Sequence, residues 1–394
     1  MYLCVSLNNE QVLKLLVMCP RFPYPLEKGD KLRIFHQLRF LGKKHQVLLI
    51  SISDKEISKE HLDIVKTFVY DIKIFKLSKV RRIFSLAKSV FSKMPFQVSY
   101  YFDKEIAKKI KKAAKEFDPD HIYCQMTRMS EYAKHLPYPK TLDYMDAFGV
   151  GMERRAEVVN GIYSILYKKE AVRMKTYESE IYSSFDNHSI ISEQDANHIA
   201  NKSIDIIPNG IDTEYFVPIE ALKKYDIGFI GNMGYPPNID AAEYLINKIL
   251  PYLDSKTKVV IAGARPDKRV KQLSSSTVTI TGWMDDVRTA YAESYVFVAP
   301  LWLGTGQQNK ILEAMAMGIP CVTSSVVNNA IGAEVGKEIL VADSEAEFAS
   351  AIKTLMNDPE LYKGIRGNAL TFVREKFSWE QSVEKLSQLM MDLR

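Results

Sequence analysis

A glycine-containing turn followed by a helix start lies in the last third of the chain and has the composition of an anion-binding site. Residues 299–325 read APLWLGTGQQNKILEAMAMGIPCVTSS, in which an apolar strand ending precedes the turn. Gly304 and Gly306 allow backbone N–H groups to approach an anion closely. A helix that begins near Gln308 or Asn309 adds the positive end of its dipole at the same point. The segment therefore predicts a binding site for a phosphorylated ligand.

Two charged side chains follow this turn, about one helical turn apart. Lys310 places a cation in the first turn of the helix, and Glu313 comes three residues later on nearly the same face. The lysine would bind the pyrophosphate of a ligand, and the carboxylate one turn later would accept hydrogen bonds from the ribose attached to it. The alternative is an ordinary capped helix whose apolar residues pack against the core.

Apolar, β-rich runs alternate with helical patterns along the chain, and these elements must position the charged residues. The runs lie at 12–18, 47–52, 121–124, 227–230, 259–262, 278–281, 296–299 and 321–323. Helical patterns such as 239–249 and 311–317 separate them. This alternation predicts two doubly wound α/β domains with mostly parallel sheets. Such domains bind ligands at the carboxyl ends of their strands.

Together with four further segments in the expected order, residues 299–325 resemble the donor-binding signature of the retaining GT-B glycosyltransferases of family 4. The further segments are 21–30, 207–212, 226–234 and 259–265. The run QNKILEAMAMG is similar to that of the subgroup that assembles bacterial exopolysaccharides and surface glycans. The resemblance extends over nearly the whole chain. It implies the GT-B fold, in which two doubly wound Rossmann-like domains flank a donor-binding cleft.

The resemblance also implies domain boundaries, because residues 207–212 look like the interdomain turn of the family. Residues 1–205 are then the acceptor-binding Rossmann-like domain, and residues 206–377 are the nucleotide-sugar-binding domain. Residues 378–394 form a further helix candidate with an apolar side. In the family, the last helix commonly crosses back onto the N-terminal domain.

The activity that the resemblance implies is transfer of a sugar from a nucleotide diphosphate sugar to a hydroxyl of a glycan or lipid-linked acceptor. The anomeric configuration is retained, as in a hexosyltransferase of EC class 2.4, and UDP and GDP are both compatible with the residues. Two alternatives remain open: a non-catalytic nucleotide-sugar-binding subunit of a glycan assembly system, and a GT-B nucleotide-sugar epimerase. A dinucleotide oxidoreductase fits less well, because Gly228, Gly231 and Gly234 lack the Gly-x-Gly-x-x-Gly spacing.

Stabilising the departing nucleoside diphosphate is the main catalytic task in such a reaction. Lys310 and Arg265 are expected to supply positive charge, together with backbone N–H groups around Thr305 and Gly306. Family members usually carry Glu at the position of Thr305 and often a basic residue at that of Asn232. Arg265 is therefore expected to take more of the phosphate charge. Because these cations serve both phosphates, no metal ion or other cofactor is expected.

Three residues outside these segments complete the predicted site. By resemblance, Gly29 is where the backbone approaches the donor phosphate. Trp283 follows the run at 278–281 and either packs near the base or is an ordinary core or rim residue. Asp146 resembles a residue of the acceptor loop and would orient or deprotonate the acceptor hydroxyl. The alternative role of Asp146 is a helix N-cap or turn residue.

The composition fits a folded cytoplasmic protein. The chain has 394 residues, of which 46% are hydrophobic and 26% are charged, and this is enough for two domains with their own cores. No run approaches about 18 consecutive apolar residues. The N-terminus has no signal-peptide pattern. The 4 cysteines lack Cys-x-x-Cys spacing, which favours a reduced compartment over a zinc site.

Basic charge is concentrated in the first half of the chain. Residues 1–205 contain 34 Lys and Arg against 25 Asp and Glu, and the remainder contains 19 against 23, so the halves carry +9 and −4. Arg81, Arg82 and Lys88 belong to an acid-free stretch with apolar residues at helical spacing. The predicted helix either lies on the protein surface with its basic side chains in water or attaches the protein to an anionic membrane. In the second case the protein would lie on the inner face of the cytoplasmic membrane. Nucleic acid is not an expected partner, because no recognition motif accompanies the charge.

Overall fold

The computed structural model describes residues 12–54, 56–90, 92–199, 203–302 and 307–392, and the chain divides into two compact units. The first unit consists of Met1–Ile191, Asp195–Ile207 and Val383–Arg394. The second consists of Ser192–Gln194 and Pro208–Ser382. The first unit therefore includes residues from the end of the chain.

The first unit is built on a parallel sheet with the strand order β3-β2-β1-β4-β5-β6-β7 among the described residues. Runs such as KLLVMC in β1 are apolar without alternation, as expected for strands that are covered on both faces. The strands are β1 (Lys14–Cys19), β2 (Gln46–Ser53), β3 (Asp71–Lys76), β4 (His121–Gln125), β5 (Lys140–Asp143), β6 (Asn187–Ile190) and β7 (Asp205–Ile206).

Helices cover both faces of this sheet. Successive residues of β1 point to opposite faces, so neighbouring β1 side chains pack against different helices. Leu16 packs in one apolar cluster with Ile110, and Leu15 packs in the other with Leu38. The helices are α1 (Gly29–Lys44), α2 (Lys59–Lys66), α3 (Lys79–Val90), α4 (Phe96–Tyr101), α5 (Lys104–Phe117), α6 (Ser130–Ala133), α7 (Phe148–Val158), α8 (Ile162–Ile181) and α9 (Glu193–Ala196).

The second unit repeats this architecture with the strand order β10-β9-β8-β11-β12-β13, and its strand pairs are parallel. The strands are β8 (Tyr225–Ile230), β9 (Val259–Ala262), β10 (Val278–Gly282), β11 (Ser294–Ala299), β12 (Cys321–Thr323) and β13 (Leu340–Val341). The helices are α10 (Pro236–Tyr244), α11 (Lys268–Lys271), α12 (Arg288–Ala292), α13 (Asn309–Ala316), α14 (Ser325–Ile331), α15 (Glu345–Asn357) and α16 (Pro359–Lys376). The last helix, α17 (Trp379–Met391), begins in the second unit, and its residues from Val383 onwards belong to the first.

The second half of the last helix, α17, belongs to the first unit and packs in its core. Leu386 is fully buried in the same apolar cluster as Leu38 of α1. His45 Nε2 lies 2.7 Å from Ser387 Oγ, and Lys44 Nζ lies 2.6 Å from a carboxylate oxygen of Glu384. Residues from the end of the chain thus complete the core of the first unit.

Both sheets have the doubly wound topology that the sequence predicts, so the predicted α/β fold class is confirmed. No helix within the described ranges combines the length and apolarity that crossing a membrane requires.

Candidate functional site

The predicted ligand-binding residues of the second unit follow three neighbouring parallel strands. β8 lies between β9 and β11 in the sheet, and the chain leaves β8 towards β9 but later returns to β11 on its other side. The strand order therefore reverses between β8 and β11, which is where doubly wound sheets bind ligands. Asn232 follows β8, Arg265 follows β9, and Lys310 lies in the first turn of α13, the helix after β11.

Glycines bring the loops after β8 and β9 into close contact. A Cβ atom on Gly263 would lie 1.7 Å from the carbonyl oxygen of Gly231, and Gly263 has a φ of +137°. A Cβ atom on Gly234 would lie 3.1 Å from the carbonyl oxygen of Arg265. The contact at Gly263 therefore excludes a side chain, and the contact at Gly234 is tighter than ordinary van der Waals packing. The packing holds Asn232 and Arg265 beside each other, and both residues are exposed.

Lys310 lies in the first turn of α13, and an asparagine directs its ammonium group. Lys310 Nζ donates a 2.6 Å hydrogen bond to Asn238 Oδ1 and lies 5.7 Å from the centre of the Phe229 ring. Asn238 Nδ2 donates in turn to the carbonyl oxygen of Asn232 at 2.9 Å, which fixes the orientation of the amide. Burial lowers the pKa of Lys310 to about 8. A bound anion would favour the charged amine at this position.

Glu313 lies one turn further along α13 and is held by a buried tyrosine. Tyr291 OH donates a 2.8 Å hydrogen bond to Glu313 Oε2. Burial raises the pKa of Glu313, while the hydrogen bond from Tyr291 and the charge of Lys310 act in the opposite direction. Within the described residues, Tyr291 provides the hydrogen bond to this carboxylate. The other carboxylate oxygen is left to accept from a ligand.

Near the start of α13, one side chain binds the backbone of a distant segment, and another has a buried oxygen without a hydrogen bond to any described residue. Gln307 Oε1 accepts from the N–H of Asn209 at 3.0 Å, and Gln307 Nε2 donates to the carbonyl oxygen of the same residue at 2.8 Å. Asn309 Oδ1 is buried and has no hydrogen-bond partner in the described structure. Gln308 occupies the N-cap position without a side-chain capping bond. The predicted residues Gly304, Thr305 and Gly306 lie outside the described residues.

Three other predicted donor-site residues have simple surroundings. Trp283 is 73% exposed, so its ring does not belong to the core. Asn232 Oδ1 accepts a 3.0 Å hydrogen bond from the N–H of Gly234, which shapes the loop after β8. Gly29 begins α1, and a Cβ atom there would meet nothing within 4 Å. Packing in the first unit therefore does not require glycine at this position.

A buried ion pair lies at the carboxyl ends of the strands in the first unit. Arg33 Nε donates to Asp143 Oδ2 at 2.7 Å, and both side chains are fully buried. Tyr123 OH donates to the same oxygen at 2.8 Å, and Ser189 Oγ donates to Asp143 Oδ1 at 3.2 Å. These bonds compensate the buried carboxylate, so Asp143 is a structural residue that fixes the start of the loop after β5.

Asp146 follows in that loop, and its environment favours the protonated acid. The pKa of Asp146 is raised to about 7, first by burial and then by the negative charge of Asp195, whereas Arg33 opposes the shift. No hydrogen bond to the Asp146 carboxylate occurs among the residues described, and the side chain is half-buried. Asp146 is thus neither an N-cap nor a member of the buried ion pair. A carboxyl group with this pKa can exchange a proton near neutral pH.

The structure corrects one part of the predicted membrane-facing helix. Arg82 is buried, donates to Tyr100 OH at 2.8 Å, and lies 3.2 Å from a carboxylate oxygen of Asp54. Because these partners hold its guanidinium against the protein, Arg82 is not available to a lipid surface. Ile83 of the same helix is 68% exposed. The side chains of Arg81 and Lys88 lie outside the described structure.

Sequence reasoning missed the residues that orient the charged groups. Asn238 and Tyr291 hold Lys310 and Glu313 but come from other segments of the chain. Arg128 and Asp195 were not recognised near the first-unit loops. In the sequence, Asn238 is marked only by its position near the start of a helix. Tyr291 is marked only by its position shortly before a strand of the same unit.

Comparisons with known proteins agree with this architecture. Residues 224–358 match the family model described as "Glycosyl transferases group 1". The chain is 25% identical over 398 residues to an "Uncharacterized 44.6 kDa protein in cps region" of Klebsiella pneumoniae, covering 92% of this chain and 96% of that protein. It is 26% identical over 219 residues to the Escherichia coli "UDP-Gal:alpha-D-GlcNAc-diphosphoundecaprenol alpha-1,3-galactosyltransferase", covering 48% of this chain and 54% of that protein.

The fold is also that of solved glycosyltransferase structures. The structure of HepE from Anabaena in complex with UDP and glucose superimposes with a TM-score of 0.70 at 12% identity, covering 97% of this chain and 100% of that chain. The chain therefore has the GT-B fold, with two parallel-sheet α/β domains. The chain thus matches the group 1 model over residues 224–358 and shares the fold of these structures over nearly its whole length.

Proposed function

We propose that this protein transfers a sugar from a nucleotide diphosphate sugar to a hydroxyl of a glycan or lipid-linked acceptor, with retention at the anomeric carbon. The observation that carries the proposal is the pair formed by Lys310 and Glu313 at the point where the strand order of the second sheet reverses. This pair lies within the segment that matches the glycosyl transferase group 1 model. The names of the relatives support a sugar nucleotide as donor and a glycan-assembly setting.

In the proposed reaction, the bond between the anomeric carbon and the β-phosphate oxygen breaks as the acceptor oxygen bonds to the same face of the sugar. Negative charge then develops on the departing diphosphate. Lys310 is already oriented by Asn238, so it can stabilise this charge without reorganisation. Arg265 is exposed on the neighbouring loop and supplies a second cation. Glu313 accepts from the ribose hydroxyls, because Tyr291 leaves one of its oxygens unoccupied.

The first unit supplies the group that handles the acceptor proton. Asp146 has a pKa raised to about 7, so a large fraction of its carboxyl groups is ionised at neutral pH. The ionised form accepts a hydrogen bond from the acceptor hydroxyl, which orients that oxygen and takes up its proton as the new bond forms. The lipid-linked acceptor in the name of the Escherichia coli relative supports an acceptor of that kind here.

The proposal includes no metal ion or other cofactor, since Lys310 and Arg265 carry the charge of the leaving group. EDTA should therefore leave transfer unchanged, and restoration of activity by Mg²⁺ or Mn²⁺ after EDTA treatment would contradict this part. The proposal places the reaction on the cytoplasmic side of a membrane, with the protein attached peripherally.

The experiment that tests the donor site measures nucleotide binding and transfer separately. UDP and GDP, with their sugars, are titrated into the native protein, Lys310→Met and Glu313→Gln. The loss of Lys310 should reduce turnover by about 10²–10³, which is typical of removing one preorganised donor. Glu313→Gln should mainly raise the Kd of the nucleotide. The matched control is Lys353→Met on α15, which removes an exposed lysine of the same unit. Native turnover in Lys310→Met would disprove the assigned site.

A further inference from the structure

We infer that Glu178 of α8 is a positioning residue for the proposed reaction, because it holds both ends of the loop that carries Asp146. The inference rests on the proposed function and adds a residue that acts through Asp146 without touching the substrate. The loop covers residues 144–147 and connects the end of β5 to the start of α7. Since Asp146 lies within this loop, a residue that fixes both of its ends also determines where the Asp146 carboxyl group can reach.

The first turn of α7 depends on Glu178 for a cap. The N-cap residue of α7 is Ala147, whose side chain cannot accept a hydrogen bond. The N–H groups at the start of a helix need acceptors from elsewhere. Glu178 Oε1 accepts from the N–H of Phe148 at 2.7 Å, and Oε2 accepts from the N–H of Gly149 at 3.2 Å. The carboxylate thus takes the place of an N-cap side chain, although it comes from a different helix.

The other end of the loop is bound to the main chain of the same residue. Tyr144 OH donates a 2.9 Å hydrogen bond to the carbonyl oxygen of Glu178, and both side chains are buried. Glu178 therefore binds the chain before Asp146 through its main chain and the chain after Asp146 through its carboxylate. Loss of the carboxylate would release the second of these two attachments.

The contact between α7 and α8 leaves no space for a side chain at Gly149. A Cβ atom there would lie 2.9 Å from the main-chain nitrogen of Lys175 and 3.0 Å from Oε2 of Glu178. Glycine permits this close approach because it has no Cβ atom. The two helices therefore come close enough at this point for one carboxylate to reach two successive N–H groups.

The residue directly before Asp146 has an unfavourable backbone conformation. Met145 has a φ of +64°, in the left-handed region that residues other than glycine seldom adopt. Such a conformation persists only where surrounding contacts enforce it, and it is common at functional sites. Main-chain hydrogen bonds of the loop with Ser189 and Ile191 enforce it on the side of the sheet, and Glu178 does so on the side of α8. Without the Glu178 carboxylate, the loop can relax on that side and move Asp146.

A second buried glutamate of α8 caps another helix and provides a matched control. Glu170 accepts from the N–H groups of Phe96 and Gln97, both at 2.9 Å, at the start of α4. The N-cap residue of α4 also lacks a side-chain acceptor. None of the residues assigned to the reaction lies on α4. Removing either carboxylate should therefore have a similar effect on the fold, whereas only Glu178 should affect Asp146.

Amide hydrogen exchange tests the contact without any substrate. In Glu178→Gln, residues 144–150 should exchange at least about tenfold faster than in the native full chain, because the N–H groups of α7 lose a carboxylate acceptor. Glu170→Gln should instead accelerate exchange at residues 96–100. Native exchange at residues 144–150 in Glu178→Gln would overturn the inference.

A double-mutant cycle tests whether Glu178 acts through Asp146. Burial raises the pKa of Glu178 to about 8, so transfer is measured at pH 8.5 with saturating donor. Glu178→Gln should reduce kcat by about tenfold or more, since a 1 Å misplacement can cost about 10² in rate. In an Asp146→Asn background the same change should cost less than about twofold. Glu170→Gln should cost less than about twofold in both backgrounds.

Equal losses for Glu178→Gln in both backgrounds would mean that Glu178 only supports the fold, and the positioning role would be refuted. Urea unfolding of each variant shows whether it folds. If Glu178→Gln does not fold, Tyr144→Phe tests the same loop, because it removes only the hydroxyl that donates to the Glu178 carbonyl oxygen. Tyr144→Phe should lower kcat in the native background and leave it unchanged beside Asp146→Asn, and equal losses would again refute the role.

The same measurements separate this inference from the proposed function. If the native protein binds no nucleotide or sugar nucleotide, the proposed function fails whatever the exchange rates of residues 144–150 are. If nucleotides bind and transfer occurs, but Glu178→Gln keeps the native kcat, the proposed function stands and the positioning role of Glu178 fails.

Discussion

Affinity for the nucleotide should fall as the pH rises through the pKa of Lys310. In the free protein that pKa is about 8 because the amine is buried. The protonated fraction is then about 0.9 at pH 7 and about 0.1 at pH 9, as one ionising group requires. A bound diphosphate favours the protonated amine and raises its pKa in the complex. Binding is therefore strongest below pH 8, and the Kd should rise about tenfold between pH 7 and pH 9.

Isothermal titration calorimetry of UDP between pH 6.5 and 9.5 measures this effect, and Lys310→Arg provides the reference. An arginine keeps its charge throughout this range, so the variant should show no inflection near pH 8. Ionisation of the nucleotide itself affects both proteins equally and cancels in the ratio of their Kd values. If the ratio does not change with pH, Lys310 does not contact the diphosphate and the assignment of the donor site is refuted.

Four further outcomes follow from contacts described above. Tyr291→Phe should raise the Kd of the nucleotide about tenfold in calorimetry, because Glu313 loses a charge-assisted hydrogen bond worth roughly 1.5–3 kcal/mol; an unchanged Kd would show that Tyr291 does not position Glu313. In the native protein, kcat/KM for the acceptor should rise with pH through about 7, where Asp146 loses its proton, and Asp146→Asn should lose this rise together with about 10²–10⁴ of the rate. Gly263→Ala should lower the free energy of unfolding in urea by about 3 kcal/mol or more, because its Cβ atom would overlap the backbone; wild-type stability would contradict the close packing. Arg33→Met should lower that free energy by about 3–5 kcal/mol by leaving Asp143 buried without its cation, whereas a small loss would mean that Asp143 is solvated.

Local sequence patterns were sufficient to predict the strands that carry the site. The runs at 259–262 and 321–323 coincide with β9 and β12, and α13 begins at Asn309, one of the two predicted starting residues. These elements are determined by apolar runs and by a helix start, both of which can be read within a few residues. The assignment of Lys310 and Glu313 to one face of α13 depends only on helix geometry.

Contacts between distant segments could not be predicted in this way. Asn238 binds Lys310 across 72 positions of sequence, and no local pattern selects one asparagine from the others. Arg82 was predicted to face a membrane because it belongs to a stretch rich in basic residues. Its contacts with Asp54 and Tyr100, which hold it against the protein, cannot be read from that composition. The run IYSILYKK of α8 is consistent with a core helix, and only the fold shows that its apolar side is exposed.

The course of α17 has a consequence for how the protein is made. Leu386, Val383 and Met390 complete the apolar cluster that contains β1 and α1, yet they are among the last described residues. A ribosome synthesises the chain from its N-terminus, and domains commonly begin to fold during synthesis. The first unit, although made first, cannot close this cluster until nearly the whole second unit has emerged. During that interval its exposed apolar surface is a substrate for chaperones, and a fragment that ends at residue 207 should aggregate when expressed alone.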